Sequence, residues 1–497
     1  MFLLLAGCVS APSDHEIDTS ALAGAPGATV ASVRSDTAGT PPPDAQVLPD
    51  LWSDVPIVIG AGPSGLAVAM DLGEALVLEA ADVTGGRARW AGGFLYMVGT
   101  EEQAALGMTE TAELAEAEWE ALTGAPPTQA THTFLAATDG IRDRLVGMGI
   151  VLRLDRPEPL SRRLRLHAPT TLGLGLVETL AANLPEGVEV RLSTPVHGLV
   201  FVDGQAAGVR TDAGWIFSDT VIVASGGFVD RADLVELHSG WGPGAWRMGE
   251  DQGADGAAVD WALEYGLGTA HLDTLGTYRD VMGLAGADGG AMRVEGTSTP
   301  WVWVDSTGTR FVDESATWSV LLSGLADSRP NVWAVTTYES ISANVSDEDR
   351  AALVSGETWR CADDLGALAD DIGVDATALA ETMDSVADLR ARRAADPLGR
   401  SFSTFTITPG TWCAFRPGNV AAKNFGGLAV DDEGRVLDAA GAAVPGLWAV
   451  GEAAGMGVPG LGGAWGFDGS LSAVLWSGWR TAASVRAEAA GTVAEEP

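Results

Sequence analysis

The chain has 497 residues, 46% of them apolar, which is enough for two or three domains with buried cores. Acidic residues outnumber basic ones by 67 to 29, and the resulting formal charge of −38 excludes nucleic-acid binding through a basic face. With 3 cysteines and no C-x-x-C pair, the chain offers no iron–sulfur framework, no four-cysteine zinc site and no C-x-x-C-H haem attachment.

The first 52 residues carry targeting and linker features. Residues 2–7 are apolar, and Leu5-Ala6-Gly7-Cys8 is similar to a bacterial lipobox, so we expect residues 1–8 to be a lipoprotein signal with Cys8 lipidated. The alternative is a chance match, because no Lys or Arg precedes Cys8. Residues 9–52 are rich in Ala, Ser, Thr, Gly, Pro and Asp without periodicity, which predicts a flexible linker. No run of 18 apolar residues occurs, so we expect membrane attachment only through the lipid, in the cell envelope.

A dinucleotide-binding turn opens the folded part. Residues 55–59 predict a buried strand, residues 66–70 a helix, and residues 75–78 a second strand that ends at Glu79. The first strand and the helix are joined by a G-x-G-x-x-G turn, residues 60–65, whose glycines suit a tight turn and a close approach to a pyrophosphate. The helix N-terminus favours phosphate, and Glu79 can accept both ribose hydroxyls. The alternative is an ordinary glycine-rich turn in a parallel sheet.

Later segments, in chain order, resemble the flavoproteins of the succinate dehydrogenase/fumarate reductase type, which include the 3-ketosteroid dehydrogenases. The segments that carry this resemblance are Thr84-Gly85-Gly86-Arg87, Ala91-Gly92-Gly93, residues 188–196, Val221-Ile222-Val223-Ala224-Ser225-Gly226-Gly227-Phe228, residues 301–314, Gly426-Gly427-Leu428 and residues 444–452. The resemblance covers residues 53 to 490. It implies an α/β fold, in which a discontinuous Rossmann-like FAD-binding domain carries an inserted α+β cap domain.

The resemblance also implies domain boundaries and a cofactor. We expect the FAD-binding domain at residues 53–295 and 424–490, and the cap, or substrate domain, at residues 296–423. The cap includes an amphipathic helix over residues 377–393. Covalent members of the family use a histidine near the second glycine stretch, and none lies between Glu79 and Gly93, so we expect non-covalent FAD. The residues expected to bind it are Gly60, Gly62, Pro63, Ser64, Gly65, Glu79, Ala80, Gly85, Gly86, Arg87, Gly92, Gly93, Val196, Ala224, Ser225, Gly226, Gly451, Glu452, Ser470 and Leu471.

The acid–base residues of the family are changed in this chain. The positions of the proton-donating arginine, the substrate-clamping arginine and the substrate-binding histidine of fumarate reductases are occupied by Trp318, Gly460 and Lys423. Without paired arginines, the desolvation of a dicarboxylate would go uncompensated. The sequence therefore disfavours fumarate as the substrate.

The 3-ketosteroid dehydrogenases fit better, although both of their tyrosines are replaced, by Trp318 and Val458. The resemblance implies that the N–H of Gly462 helps to hold a ketone. Trp318 can donate through its indole N–H but does not titrate. Lys423 is the only lysine of the chain, and we expect it to stabilise an oxyanion or the reduced flavin. The alternative is an exposed lysine without a function. The candidate catalytic residues are therefore Lys423, Trp318 and Gly462.

Together these features predict an FAD-dependent oxidoreductase that acts on a carbon–carbon bond beside a carbonyl group of an apolar, ketosteroid-like small molecule. Its electron donor or acceptor would be separate, because no haem or second flavin module is present. The alternatives are a fumarate-reductase-like reductase with relocated catalytic groups and a flavin-binding electron-relay subunit without turnover. The histidines lack ligand-like spacing, so no metal site is expected. Whether Cys361 and Cys413 pair stays open at this stage.

Overall fold

A computed structural model describes the folded part of the chain. The residues that it describes are 53–123, 126–156, 163–239, 246–247, 253–278, 301–314, 332–342, 359–400, 406–415, 420–458 and 469–491. Trp318, Gly460 and Gly462 lie outside these residues, as do the predicted lipoprotein signal and the predicted linker.

Strands and helices are interspersed along the chain. The strands are β1 (Ile57–Ile59), β2 (Glu74–Leu78), β3 (Leu95–Tyr96), β4 (Leu152–Arg156), β5 (Leu166–Pro169), β6 (Gly187–Arg191), β7 (Val196–Val202), β8 (Gln205–Thr211), β9 (Gly214–Phe217), β10 (Val221–Val223), β11 (Trp246–Arg247), β12 (Thr269–Ala270), β13 (Leu275–Tyr278), β14 (Val302–Val304), β15 (Trp333–Thr337), β16 (Trp359–Ala362), β17 (Trp412–Phe415), β18 (Val420–Asn424), β19 (Gly427–Leu428), β20 (Arg435–Leu437) and β21 (Ala443–Ala449). The helices are α1 (Pro63–Leu72), α2 (Glu101–Ala105), α3 (Ala112–Thr123), α4 (Gln129–Gly147), α5 (Leu172–Ala182), α6 (Ala232–Ser239), α7 (Ala257–Tyr265), α8 (Tyr338–Ser342), α9 (Leu365–Ile372), α10 (Ala376–Arg392) and α11 (Leu471–Ala489).

The central sheet has the strand order β20-β21-β10-β1-β2-β6, and all of its neighbours are parallel except β20 and β21. Its inner strands are continuous apolar runs because both faces are covered. Val58, Val77 and Ile222 face one core together with residues of α1 and α11, whereas Ile57 and Ile59 face a second core formed with β7, β8, β9 and α7. This is the predicted Rossmann-like architecture.

The sheet draws its strands from distant parts of the chain. Residues 57–223 contribute four strands of the sheet, β1, β2, β6 and β10. Strand β21, residues 443–449, joins the sheet beside β10. Helix α11 packs on α1 so closely that a Cβ on Gly478 would lie 2.6 Å from the carbonyl oxygen of Ser64. The FAD-binding domain is therefore discontinuous, as the sequence predicts.

A second, antiparallel sheet forms the cap, with the strand order β14-β15-β17-β16. Helices α9 and α10 cover one face, and α10 buries Leu379, Met383 and Val386 as predicted for the amphipathic helix. The predicted end of the cap at Lys423 falls inside β18, which pairs with β11 and β13. The domain boundaries stay predictions.

Ionic and covalent links hold the cap together. Glu314 accepts hydrogen bonds from Nε of Arg310 at 2.9 Å and from the N–H of Trp303 at 3.0 Å, and its carboxylate lies 2.9 Å from the guanidinium of Arg400. All three side chains are buried, so these charges satisfy one another away from water. Cys361 and Cys413, at opposed positions of β16 and β17, form a disulfide bond, which resolves the question that the sequence leaves open.

Candidate functional site

The main candidate site is a cavity of about 760 Å³ at the carboxyl ends of β1, β2 and β10. Gly60, Glu79 and Ala224 follow these three neighbouring strands directly, and all of them line the cavity. In open parallel sheets, ligands bind outside the carboxyl ends of the strands. The cavity also has a volume typical of cofactor sites.

Most of the predicted FAD-binding residues meet in this one cavity, although they come from distant parts of the chain. Those that line it are Gly60, Gly62, Pro63, Ser64, Glu79, Ala80, Gly86, Arg87, Gly92, Gly93, Val196, Ala224, Ser225, Gly226, Glu452, Ser470 and Leu471. Lys423 lines it as well. The structure therefore brings one of the three candidate catalytic residues to the predicted cofactor site, while Trp318 and Gly462 lie outside the described residues.

Three predicted glycines lie behind the cavity wall instead of lining it. A Cβ on Gly65 would lie 2.0 Å from the carbonyl oxygen of Gly60, one on Gly85 would lie 2.6 Å from Cγ2 of Val177, and one on Gly451 would lie 2.4 Å from Oγ of Ser64. Each of these glycines lets a neighbouring backbone or side-chain atom approach closely.

The turn between β1 and α1 presents backbone donors to the cavity. Gly62 is the N-cap of α1, and no side chain caps the helix there. The first N–H groups of the helix therefore lack side-chain acceptors and suit an anion. A Cβ on Gly62 would have no atom within 4 Å, which leaves room for a ligand to approach the backbone.

Glu79 is held at the end of β2 by two backbone donors. Its Oε2 accepts a hydrogen bond from the N–H of Ala61 at 2.6 Å, and its Oε1 accepts one from the N–H of Ala81 at 2.9 Å. The two hydrogen bonds fix the orientation of the carboxylate. A carboxylate at this point suits a ribose that donates two hydroxyl hydrogens.

Arg87, which lines the cavity, joins three segments of the chain. Its guanidinium pairs with Asp230 at 2.5 Å and donates to the carbonyl oxygen of Ala422 at 3.1 Å. The second oxygen of Asp230 accepts the N–H of Ala254 at 2.9 Å. Arg87 therefore holds β18, with Lys423 next to Ala422, against the glycine-rich turn at residues 85–86.

Lys423 and Glu452 face the same end of the cavity. The ammonium of Lys423 donates to Oγ of Ser470 at 3.3 Å and lies 5.3 Å from the ring centre of Phe425. Burial raises the pKa of Glu452, and the nearby charges of Arg87 and Lys423 oppose that rise. The structure thus places a lysine and a carboxylate close to each other at the predicted FAD cavity.

Asn424 is a fully buried residue of the site that is not among the residues predicted from the sequence. Its Oδ1 accepts the N–H of Phe228 at 3.0 Å, and its Nδ2 donates to the carbonyl oxygens of Gly426 at 2.5 Å and Glu452 at 3.1 Å. Asn424 also donates its own N–H to Oε1 of Glu452 at 3.2 Å. No sequence signal marks it, because its partners include a residue 196 positions away.

Asp255 and Trp90 also line the cavity without having been predicted to bind the cofactor. Burial raises the pKa of Asp255. It lies in Gly253-Ala254-Asp255-Gly256, a glycine-rich turn before α7 that could have been recognised as a ligand-binding turn. The side chain of Trp90 is 72% exposed at the cavity.

These residues fit a flavin adenine dinucleotide. The uncapped start of α1 matches the pyrophosphate and Glu79 matches a ribose, whereas Phe94, Met456 and Leu471 give the cavity apolar walls. The Oγ of Ser225 is buried beside the cavity and has no hydrogen-bond partner among the described residues, as expected for a group that a ligand satisfies.

Within the described part of the chain, no helix is both long and apolar enough to cross a membrane. The same residues contain no cluster of three or more His, Cys, Asp or Glu side chains that could hold a metal ion.

Comparisons with known proteins agree with this geometry. A family model described as an FAD binding domain matches residues 55–463. A search of curated proteins finds no match. Among solved structures, the chain is similar to 3-ketosteroid-Δ4-(5α)-dehydrogenase from Rhodococcus jostii RHA1, solved with 4-androstene-3,17-dione, with a TM-score of 0.67 and 21% identity over 88% of this chain and 97% of that chain.

Two further structures are similar. The 3-ketosteroid Δ1-dehydrogenase of Sterolibacterium denitrificans, solved with 1,4-androstadiene-3,17-dione, gives a TM-score of 0.74 and 16% identity over 88% of this chain and 100% of that chain. The open conformation of a flavocytochrome c3 fumarate reductase gives a TM-score of 0.64 and 20% identity over 88% of this chain and 79% of that chain. At these identities the likeness establishes the fold.

Proposed function

Because this chain belongs to the FAD-binding-domain family and is an FAD-dependent oxidoreductase, we propose that it oxidises or reduces a carbon–carbon bond beside a carbonyl group of an apolar small molecule. The bound flavin, held without a covalent bond, supplies the centre that exchanges a hydride with the substrate. The chain itself contributes binding, orientation and charge stabilisation.

One observation carries the choice of an apolar substrate. The Arg and Lys residues among the described lining of the cavity are Arg87, Arg89 and Lys423. Arg87 is bonded to Asp230, and Arg89 donates to the carbonyl oxygen of Thr84 at 3.1 Å. A dicarboxylate needs two cations to offset its desolvation, whereas a ketone needs one donor at its oxygen.

Lys423 is the proposed donor. Its ammonium lies beside Ser470 at the cavity, where it can hold negative charge on a carbonyl oxygen or on the reduced cofactor. The sequence adds Trp318 and the N–H of Gly462 as candidate groups on the substrate side. The two ketosteroid dehydrogenases of similar fold, whose structures contain steroid ketones, support a flat apolar ketone as the first substrate to test.

The test uses the purified full chain with its FAD, without oxygen. We expect 4-androstene-3,17-dione or its saturated 3-ketone to bleach the oxidised flavin band, or an unsaturated 3-ketone to restore the band after chemical reduction. Lys423→Met should slow this step, whereas Arg144→Met, at an exposed position on α4, should leave it unchanged. Rapid reoxidation by fumarate would overturn the proposal. Exchange of electrons with a protein partner alone would favour the electron-relay alternative.

We also propose that the protein is anchored in the cell envelope through a lipid on Cys8 and that it exchanges electrons with a separate partner. The disulfide between Cys361 and Cys413 supports an oxidising compartment, because such bonds are rare in reducing ones. Mass spectrometry of the mature N-terminus tests the anchor. An unmodified Cys8 preceded by an intact Met1 would contradict it.

A further inference from the structure

The cavity contains two glutamates whose carboxylates are held differently by the backbone. Glu79 accepts a backbone N–H on each oxygen, at 2.6 Å and 2.9 Å. Glu452 accepts the longer bond of 3.2 Å from the N–H of Asn424. It is half-buried and lines the cavity, so a ligand that fills the cavity would shield it further from water.

The charged groups that face Glu452 come from three segments. Arg87 belongs to the turn after residue 85, Asp230 follows β10, and Lys423 lies on β18. Arg87 and Asp230 are paired with each other at 2.5 Å, so their charges largely cancel. Among these four groups, the positive charge of Lys423 then balances the negative charge of an ionised Glu452.

Reduction of a flavin in such a site disturbs this balance. A hydride carries two electrons and one proton, and it therefore leaves one additional negative charge in the cavity. In a partly desolvated site, an uncompensated charge is costly. Glu452 lines this cavity beside these charges, and burial raises the pKa of its carboxyl group.

We propose that Glu452 takes up one proton when the bound flavin is reduced. The carboxylate and the proton form a neutral carboxyl group, and the cavity gains no net charge. When the protein oxidises its substrate, the proton comes from the carbon next to the one that gives the hydride, and in a chemical reduction it comes from water. The proposal rests on FAD binding and not on the identity of the substrate, so the steroid test and the test below can fail separately.

The test measures the midpoint potential of the flavin in the full holoprotein between about pH 5.5 and 8.5, by equilibrium reduction with dithionite and reference dyes. For a two-electron couple, each proton taken up contributes about 30 mV per pH unit. We expect a region with a slope of about 59 mV per pH unit, which corresponds to two protons. In Glu452→Gln the slope should fall to about 30 mV per pH unit, which corresponds to one. A slope of about 30 mV at every pH in the unchanged protein overturns the proposal.

The controls separate Glu452 from its neighbours. Asp255→Asn removes the other lining carboxylate with a raised pKa, and the steep region should survive this change. Loss of the steep region in Asp255→Asn but not in Glu452→Gln overturns the proposal. If Glu452→Gln does not retain FAD, the same potential measurement on Lys423→Met tests the proposal instead. Removal of this neighbouring cation should move the steep region to higher pH, and an unmoved region contradicts the assignment.

Discussion

Asn424 gives the sharpest test of how the two halves of the FAD-binding domain are joined. Its side chain makes three hydrogen bonds, to the N–H of Phe228 and to the carbonyl oxygens of Gly426 and Glu452. It is 0% exposed, so water cannot replace these partners. Gly227 provides the space, because a Cβ there would lie 1.7 Å from Oδ1 of Asn424.

We expect Asn424→Ala to lower the free energy of unfolding by about 3 kcal/mol, since each lost hydrogen bond costs about 0.5–1.5 kcal/mol and leaves a buried backbone group unpaired. FAD affinity should fall as well, because the side-chain amide of Asn424 holds the carbonyl oxygen of Glu452, and Glu452 lines the cavity. Unfolding in urea, followed by tryptophan fluorescence with and without added FAD, measures both effects.

Asn183→Ala is the matched control. Asn183 is exposed at the end of α5, and its Nδ2 donates to the carbonyl oxygen of Thr179 at 2.9 Å. This change should stay within about 0.5 kcal/mol of the unchanged protein. A loss below about 1 kcal/mol in Asn424→Ala, or an equal loss in both variants, would refute the reasoning.

Three further predictions concern packing, the disulfide and pH. Gly65→Ala should weaken FAD binding at least about tenfold in an equilibrium titration, because its Cβ would lie 2.0 Å from the carbonyl oxygen of Gly60, and unchanged affinity would contradict this. Cys361→Ala/Cys413→Ala should lower the free energy of unfolding by up to about 4 kcal/mol, since the bond closes a separation of 52 residues. The variant should be about as stable as the reduced protein. A variant as stable as the oxidised protein would disprove this prediction. Burial lowers the pKa of His167, so the unfolded chain binds a proton that the folded chain excludes, and stability should fall as the pH drops below about 6.5. His167→Gln should show a shallower acid slope in urea unfolding between pH 5 and 7, and an identical slope would count against this account.

The sequence predicts those parts of the site that depend on neighbours along the chain. The β1–turn–α1–β2 unit and Glu79 follow from a hydrophobic pattern and glycine spacing within about two dozen residues. The pair of Arg87 with Asp230 spans 143 positions, so no local pattern contains it. The partners of Asn424 likewise follow only from the folded topology. Trp318 and Gly462 stay predictions.

The placement of β21 has a consequence for the chain during synthesis. Strand β10 ends at Val223, but the neighbour that completes its pairing is made only when Ala449 has been added. At 5–20 residues per second, the ribosome needs roughly 10 to 45 s for the stretch between them. During that time the nascent chain carries an unpaired apolar strand edge, which is a template for aggregation. Chaperone assistance should therefore increase the yield of native protein more than it would for a domain whose sheet is completed in chain order.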